Sequence, residues 1–213
     1  MAAPFPMLKI LGKPSSINVR KVLWTCDELA LPYVLEAWGT GTLSLQSSEF
    51  LALNPNAMVP VIDDDGFILW ESNSICRYLA DRHGDGALLP PPSQERALVE
   101  RWMDWQATDL NTAWRYPFLS LVRASPAHQD AAQLAAGVAA WNRAMRLLDT
   151  HLAANGPYMT GERLTLADVV IGLSVNRWKA TPLAHAELPA VEAYFDLLSQ
   201  RPAFLLHGNN GIA

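Results

Sequence analysis

Cysteine is scarce in this chain: Cys26 and Cys76 are the only two in 213 residues, and their spacing forms no CxxC pair. That excludes a disulfide framework and a zinc ribbon, and both thiols fall on apolar stripes of expected helices, as buried free cysteines of a reducing compartment do. The five histidines, His83, His128, His151, His185 and His207, show no HxxxH or HxH spacing, so no metal site is expected. Clusters of lysine and arginine are missing too, and with a net charge of −5 and a pI near 5.5 nucleic acid is not an expected partner. No run approaches the ~20 apolar residues of a membrane span. The opening MAAPFPMLKI has no basic n-region, and a soluble, cytoplasmic protein is expected.

What the chain has instead is apolar material, 50% of its residues, enough to bury a full core in one large or two small domains. Ala57 to Gly84, AMVPVIDDDGFILWESNSICRYLADRHG, is the most informative stretch. Val59, Val61 and Ile62 read as a strand, Asp63 to Gly66 as a turn, and Phe67 to Trp70 as the antiparallel return. Pro60, with no N–H and a fixed φ, fits such a strand only at an edge, a bulge or a cis bond, which leaves room for an extended ligand to dock. Ile75, Cys76, Leu79 and Ala80 then fall at helical spacing, so Ser72 is the expected N-cap of a helix beginning at Asn73. The first turn of that helix would offer N–H donors to a carboxylate, and Glu71 beside it would face an ammonium. Together they suit an amino-acid head group, although either feature alone is ordinary helix-start chemistry.

Upstream, Met7 to Leu11 reads as a strand, Gly12 to Ser16 as a loop and Ile17 to Ala30 as a helix whose apolar face is Val19, Val22, Leu23, Cys26 and Leu29. Tyr33 to Trp38 is a second strand that a right-handed crossover should pair parallel to the first. A polar loop, a short helix over Glu49 to Leu53 and the breaker Asn54-Pro55-Asn56 lead to the hairpin. Downstream, Gly84 to Pro92, GDGALLPPP, is the one compositional boundary. Beyond it all is helical: one helix marked by Leu98, Trp102 and Trp105 that Pro117 should kink or end, and another by Leu134, Val138, Trp141, Met145, Leu148 and Leu152. Thr165 to Asp168 is a capping box, with Leu164 and Val169 placed for a hydrophobic staple, opening a helix to about Asn176. Val191, Tyr194, Phe195 and Leu198 mark one more, and Arg201-Pro202 starts a short last one.

The βαβ-ββα order with a proline at its third strand is the thioredoxin-like plan, here followed by an all-helical half. Asn54-Pro55, Val59-Pro60, Glu71-Ser72, the helix Ile75 to Ala80 and the box Thr165 to Asp168 occur in an order and spacing by which the chain resembles the cytosolic glutathione transferases along nearly its whole length. The segment Ser16-Ile17-Asn18-Val19-Arg20 looks like their bacterial, serine-type, theta-like members. The resemblance implies a thioredoxin-like glutathione-binding domain over residues 1–84, a linker over 85–92, and a helical domain over 93–213 that carries the electrophile pocket.

It also implies roles. The proline before the third strand is cis in that family, with the preceding backbone pairing to the cysteinyl part of glutathione and the Glu-Ser pair taking the γ-glutamyl head; this assigns Val59, Pro60, Glu71 and Ser72. Ser16 is the expected thiolate donor, with Asn18 in support and Ser15 beside them. Met58 stands where many members carry a basic residue, which leaves Gln46 as the candidate for the glycine carboxylate. Dimeric relatives reach across their interface from the first helix of the helical domain, which places Asp104, with Thr108 and Asp109, at that edge and implies a homodimer. Trp105, Trp114, Tyr116 and Trp178 are the expected pocket residues for an apolar electrophile, with Trp102 and Trp141 in the core.

A thiol titrates near ~8.5 and reacts as its thiolate, so a hydroxyl at a helix N-terminus assists by hydrogen bonding to the anion. The expected function is transfer of the glutathione thiolate to small apolar electrophiles, in detoxification, with glutathione as co-substrate and no metal. A glutathione-dependent peroxidase or dehalogenase on the same site, and a non-catalytic binding or regulatory protein of this architecture, stay open as alternatives. Serine in place of cysteine at position 16 disfavours disulfide exchange, and Pro14-Ser15-Ser16 lacks the Ser-Ser-Cys pattern of the maleylacetoacetate isomerase branch.

Overall fold

A computed structural model describes residues 7–41 and 43–213. The expectation of no leader over residues 1–6 lies outside the described residues. The chain divides into two compact units, Met1–Gly86 and Ala87–Ala213.

The first unit holds β1 (Leu8–Leu11), α1 (Ile17–Glu28), β2 (Tyr33–Glu36), α2 (Ser48–Leu53), β3 (Val61–Asp64), β4 (Phe67–Trp70) and α3 (Ser72–His83). The strands form one sheet in the order β2-β1-β3-β4, with β2 parallel to β1 across the α1 crossover and β3 antiparallel to both β1 and β4. Ile10 pairs with Ile62 and Leu11 with Val61, and alternation sends these pairs to opposite faces. On one face Leu11 and Val61 pack with Trp38 and with Phe50 of α2. Gly12 closes the end of β1 because a Cβ there would stand 2.5 Å from Val19 Cγ2 of α1, so any side chain would push α1 off the strand.

The hairpin is tighter than expected. Asp63 and Asp64 stay in β3, and the turn is the two-residue Asp65-Gly66, both at positive φ (55° and 85°) as a type I′ connection requires. The Gly66 N–H donates back to Asp63 Oδ1 at 2.8 Å. Val59 lies outside β3 rather than in it, and Pro60 immediately precedes the strand.

The second unit is all helix among the described residues: α4 (Ser93–Trp105), a π-turn over Gln106–Leu110, α5 (Asn111–Leu121), a 3-10 turn over Pro126–His128, α6 (Ala131–Asn155), α7 (Leu166–Ala180), α8 (Pro189–Leu198) and α9 (Pro202–His207). Pro117 does not end its helix. It lies inside α5, buried, where Gly137 of α6 approaches so closely that a Cβ there would sit 2.8 Å from Pro117 Cδ. The departure from regular α geometry falls earlier, at the π-turn, a device that shifts the phase of every later side chain.

The capping box forms as read and starts α7, which runs on to Ala180. Asp168 is fully buried and accepts from Met159 N–H, Thr165 N–H, the Thr165 hydroxyl and the Tyr194 hydroxyl at 2.8, 2.8, 3.0 and 3.1 Å. Burial holds its carboxyl up at about 6 despite those four donors. Leu88 and Leu89, in the stretch expected to be linker, are buried, and Leu88 accepts the Leu166 N–H at 2.9 Å.

Candidate functional site

Three segments of the first unit carry the expected site. At the first, Ser16 N–H donates to Lys13 O at 3.0 Å, closing a turn with Pro14 in the position that its fixed φ favours. Ser16 is extended (φ −87°, ψ 123°) and occupies the N-cap of α1, yet its hydroxyl makes no capping bond. No described residue partners that hydroxyl, and the first-turn N–H groups of Ile17, Asn18 and Val19 lack intrahelical acceptors. The start of α1 therefore presents a free hydroxyl and open amides at the positive end of the helix dipole. Asn18 is half-buried and Ser15 exposed in the turn.

At the second segment Asn54 organises the approach to β3. It is 2% exposed; its Nδ2 donates to Met58 O at 2.8 Å, its Oδ1 accepts from Asn56 N–H at 3.0 Å, and its carbonyl accepts from Ala57 N–H at 3.0 Å. The Val59-Pro60 peptide is cis. Neither the N–H nor the C=O of Val59 finds a partner among the described residues, so its backbone offers a donor and an acceptor to an incoming chain. Met58 is 61% exposed.

At the third segment Ser72 is the first residue of α3 rather than its cap; Glu71 takes the cap position, with φ 73° and ψ 106°, and its side chain makes no capping bond. A non-glycine residue at positive φ is strained, and such strain concentrates at ligand sites. It arises because the chain leaves β4 and enters α3 through a single residue, Glu71 making the whole turn. Glu71 is exposed and Ser72 buried, and no described residue partners either side chain. The carbonyl of Glu71 accepts the Ile75 N–H at 2.9 Å, which leaves the amides of Ser72, Asn73 and Ser74 without intrahelical acceptors.

The remaining candidates are dispersed. Gln46 is exposed, its N–H held by Ser44 Oγ at 3.2 Å, and Asp104 is exposed on α4. The four aromatics do not form one cluster: among the described ring contacts none joins two of them. Trp105 meets Trp102; Trp114 meets Phe118 and Trp141 and lies under the Arg177 guanidinium at 4.4 Å. The Tyr116 hydroxyl accepts the Asp130 N–H at 3.0 Å, ahead of α6. Trp178 is 1% exposed, its N–H spent on Asn142 Oδ1 at 3.1 Å and its ring against His185, an interior residue by packing. Trp141 is fully buried and Trp102 nearly so.

Both cysteines are fully buried, and burial pushes the Cys76 thiol up to about 11 and Cys26 higher still, which makes them poor nucleophiles. Among the described residues no group of three or more His, Cys, Asp and Glu could hold a metal ion, and no helix is long and apolar enough to cross a membrane. Sequence reasoning missed two residues of this unit. Asn54 appeared only as a helix breaker, although an Asn before Pro is a turn-former whose side chain can bond its own backbone. Lys21, 2% exposed with its ammonium on Asn73 Oδ1 at 3.2 Å, carried no expectation in the sequence.

Comparison with known proteins agrees across both units. Residues 11–91 match the family model "Glutathione S-transferase, N-terminal domain" and residues 131–205 "Glutathione S-transferase, C-terminal domain". Glutathione S-transferase GstB of Escherichia coli is 35% identical over 199 residues, 92% of this chain and 95% of that protein. Elongation factor 1-gamma 2 of Oryza sativa is 33% identical over 168 residues, 76% of this chain and 39% of that protein. Among solved structures, the theta class glutathione S-transferase of Xanthomonas axonopodis pv. citri with glutathione bound has a TM-score of 0.88 at 35% identity, over 95% of this chain and 97% of that one.

Proposed function

The chain belongs to the glutathione S-transferase family and is a glutathione transferase, and from that premise we propose that Ser16 is the hydroxyl that holds the glutathione sulfur as a thiolate. The observation that carries this is a serine at the N-cap of α1 whose hydroxyl caps nothing. Placed against a sulfur, it donates one hydrogen bond to the anion while the open amides and dipole of α1 add to the same preference. The thiol proton leaves to solvent, the sulfur lone pair attacks an electrophilic carbon, a C–S bond forms, and the leaving group departs with its bonding pair. Positioning and anion stabilisation supply the rate gain.

Glutathione itself is held along the three segments. Val59 pairs its open N–H and C=O with the cysteinyl backbone, beside the cis Pro60. Ser72 and the amides opening α3 take the γ-glutamyl carboxylate, and Glu71 takes its ammonium. Ser15 and Asn18 flank the sulfur, and Gln46 is the candidate for the glycine carboxylate. The electrophile is small and apolar, received by aromatic side chains of the helical unit of which Trp105, Trp114 and Tyr116 keep open surface. The reading further takes the protein as a cytoplasmic homodimer acting in detoxification, with Asp104 reaching across the interface.

Retention on immobilised glutathione followed by conjugation to chlorodinitrobenzene tests the reading. The wild type should be retained and turn over, and Ser16→Ala should be retained yet react slowly. Equal rates for the two would move the donor role to Asn18 or Ser15. Weak conjugation with brisk peroxide reduction or halide release would assign the same thiolate to a peroxidase or dehalogenase. A second reading, a binding module without turnover, draws on the likeness to an elongation factor; retention with no turnover on any electrophile would favour it.

A further inference from the structure

The ends of the four strands set where each arm of a bound tripeptide falls. Val61, which opens β3, pairs with Leu11 at the end of β1 on one side and with Trp70 at the end of β4 on the other, and Leu11 pairs with Glu36 at the end of β2. One end of the sheet therefore carries, in spatial order, Ser72 after β4, Val59 before β3, the β1 exit with Lys13 and Ser16, and the β2 exit leading to Gly39. Neighbouring strands stand about 4.8 Å apart, which puts the β1 exit about 10 Å and the β2 exit about 14 Å from the start of α3. An extended tripeptide spans at least about 10 Å. With the γ-glutamyl head at Ser72 and the cysteinyl backbone on Val59, the glycine falls over the exits of β1 and β2.

Lys13 bridges those two exits. The Gly12 N–H before it donates to Glu36 O at 2.9 Å, carrying the β1–β2 pairing one residue past the strands, and the Lys13 carbonyl accepts the Ser16 N–H at 3.0 Å. Both neighbours thus fix the backbone from which the side chain leaves. The ammonium donates to Gly39 O at 3.3 Å, a long bond to a neutral acceptor. Lys9, in the body of β1, has Asp63 as a counter-ion at 3.7 Å, whereas no ion pair among the described residues includes Lys13. Glu36, the carboxylate that closes β2, accepts Trp38 Nε1 on its Oε2 at 3.1 Å. Lys13 is half-buried, so a ligand can reach it. Gln46, further along the chain beyond Gly39, is exposed and offers a neutral amide, a weaker partner for an anion than an ammonium.

We propose that Lys13 is the cation that receives the glycine carboxylate of glutathione, and that it makes the site selective for a thiol charged at that end. The carboxylate accepts a charge-assisted hydrogen bond from the ammonium while the bond to Gly39 O keeps the side chain across the two exits. The inference rests on the glutathione site proposed above and moves its glycine contact from Gln46 to Lys13.

Glutathione glycine monoethyl ester is the same tripeptide without that charge. Full-length wild type, Lys13→Met, Lys13→Arg and Gln46→Ala are compared by KM for the two thiols, with chlorodinitrobenzene as electrophile. The wild type should show a KM about tenfold higher for the ester, the scale of losing one hydrogen bond to a charged group. Lys13→Met should raise KM for glutathione about tenfold and leave KM for the ester within about twofold, so that the two thiols become equivalent. Lys13→Arg should restore most of the preference, and Gln46→Ala should retain it. An equal rise for both thiols in Lys13→Met overturns the proposal, because a lysine that only holds the loop or acts on the sulfur would not distinguish them. A preference lost in Gln46→Ala and kept in Lys13→Met overturns it as well. If Lys13→Met fails to fold, equal KM of the wild type for the two thiols overturns it. Wild-type protein that is not retained on immobilised glutathione would overturn the site assignment itself, a result separable from failure of Lys13 alone.

Discussion

The helices of the two compact units start in two ways. In the helical unit α6, α7 and α8 have first-turn amides closed by the chain's own oxygens: Asp130 accepts from Gln133 N–H at 2.8 Å to open α6, Thr165 and Asp168 cap α7, and Asp149 Oδ1 accepts from Ala190 and Val191 N–H at 2.8 and 3.0 Å to open α8; α4 and α9 follow Pro92 and Arg201 with no side-chain cap. In the thioredoxin-like unit α1 and α3 start at Ser16 and Glu71, neither of which bonds its helix through its side chain. That unit can cap a helix, as Ser47 Oγ does for α2 by accepting the Phe50 N–H at 3.2 Å. An unmade cap costs about 1 kcal/mol. The open starts of α1 and α3 are where an anionic ligand can supply the missing acceptors. On the proposed reading the capped starts of α6, α7 and α8 hold the fold, and the open starts of α1 and α3 receive the ligand.

Substitutions at the two kinds of start should therefore separate stability from activity. Asp168→Ala should show the largest effect, destabilising the protein by about 3–5 kcal/mol in urea unfolding, because it orphans buried donors. A small loss there would mean the capped starts are as dispensable as the open ones. Ser16→Ala should lower kcat/KM about a hundredfold while changing the unfolding free energy by less than about 0.5 kcal/mol. A matched loss of stability would show that the hydroxyl is structural after all.

Asp168 also sharpens the contrast through pH. Its carboxyl is raised from 3.8 to about 6 by burial, so between those values the folded state binds the proton more tightly than the unfolded one. Its contribution is fully present below the unfolded value and is lost as pH rises through about 6, a change on the order of 2–3 kcal/mol. The stability difference between wild type and Asp168→Asn should shift in that window. No shift would place the carboxylate in a wetter setting than its burial implies. Glu71→Gln, at an open start, should raise KM for glutathione about tenfold by removing one charged partner, with unfolding free energy little changed; an unaltered KM would take Glu71 out of the site.

Much of this contrast was legible in the sequence where the signal is local. The capping box Thr165–Asp168, the strand ending at Trp70, Pro60 as a residue that breaks a ladder, and Ser16 at a loop-to-helix junction each depend on a few neighbouring residues. What was not legible depends on contacts far along the chain. Pro117 does not end its helix, being accommodated beside Gly137, and the departure from α geometry falls at Gln106–Leu110, where no proline or glycine marks it. Val59 fits the alternation of the strand by side chain, whereas β3 begins only at Val61. Serine caps well, which points to Ser72; in the structure Glu71 makes the turn at positive φ and Ser72 opens α3. Trp105, Trp114 and Tyr116 each meet different neighbours, Trp102, Phe118 with Trp141, and His128, contacts that no local pattern announces.

The central claim is that the hydroxyl at the open start of α1 stabilises the glutathione anion, and the most direct measurement is the ultraviolet absorbance of the bound thiolate titrated against pH in wild type and Ser16→Ala. The wild-type complex should titrate clearly below the ~8.5 of a free thiol, and the variant should return towards that value while still binding glutathione. Coincident titration curves would contradict the account.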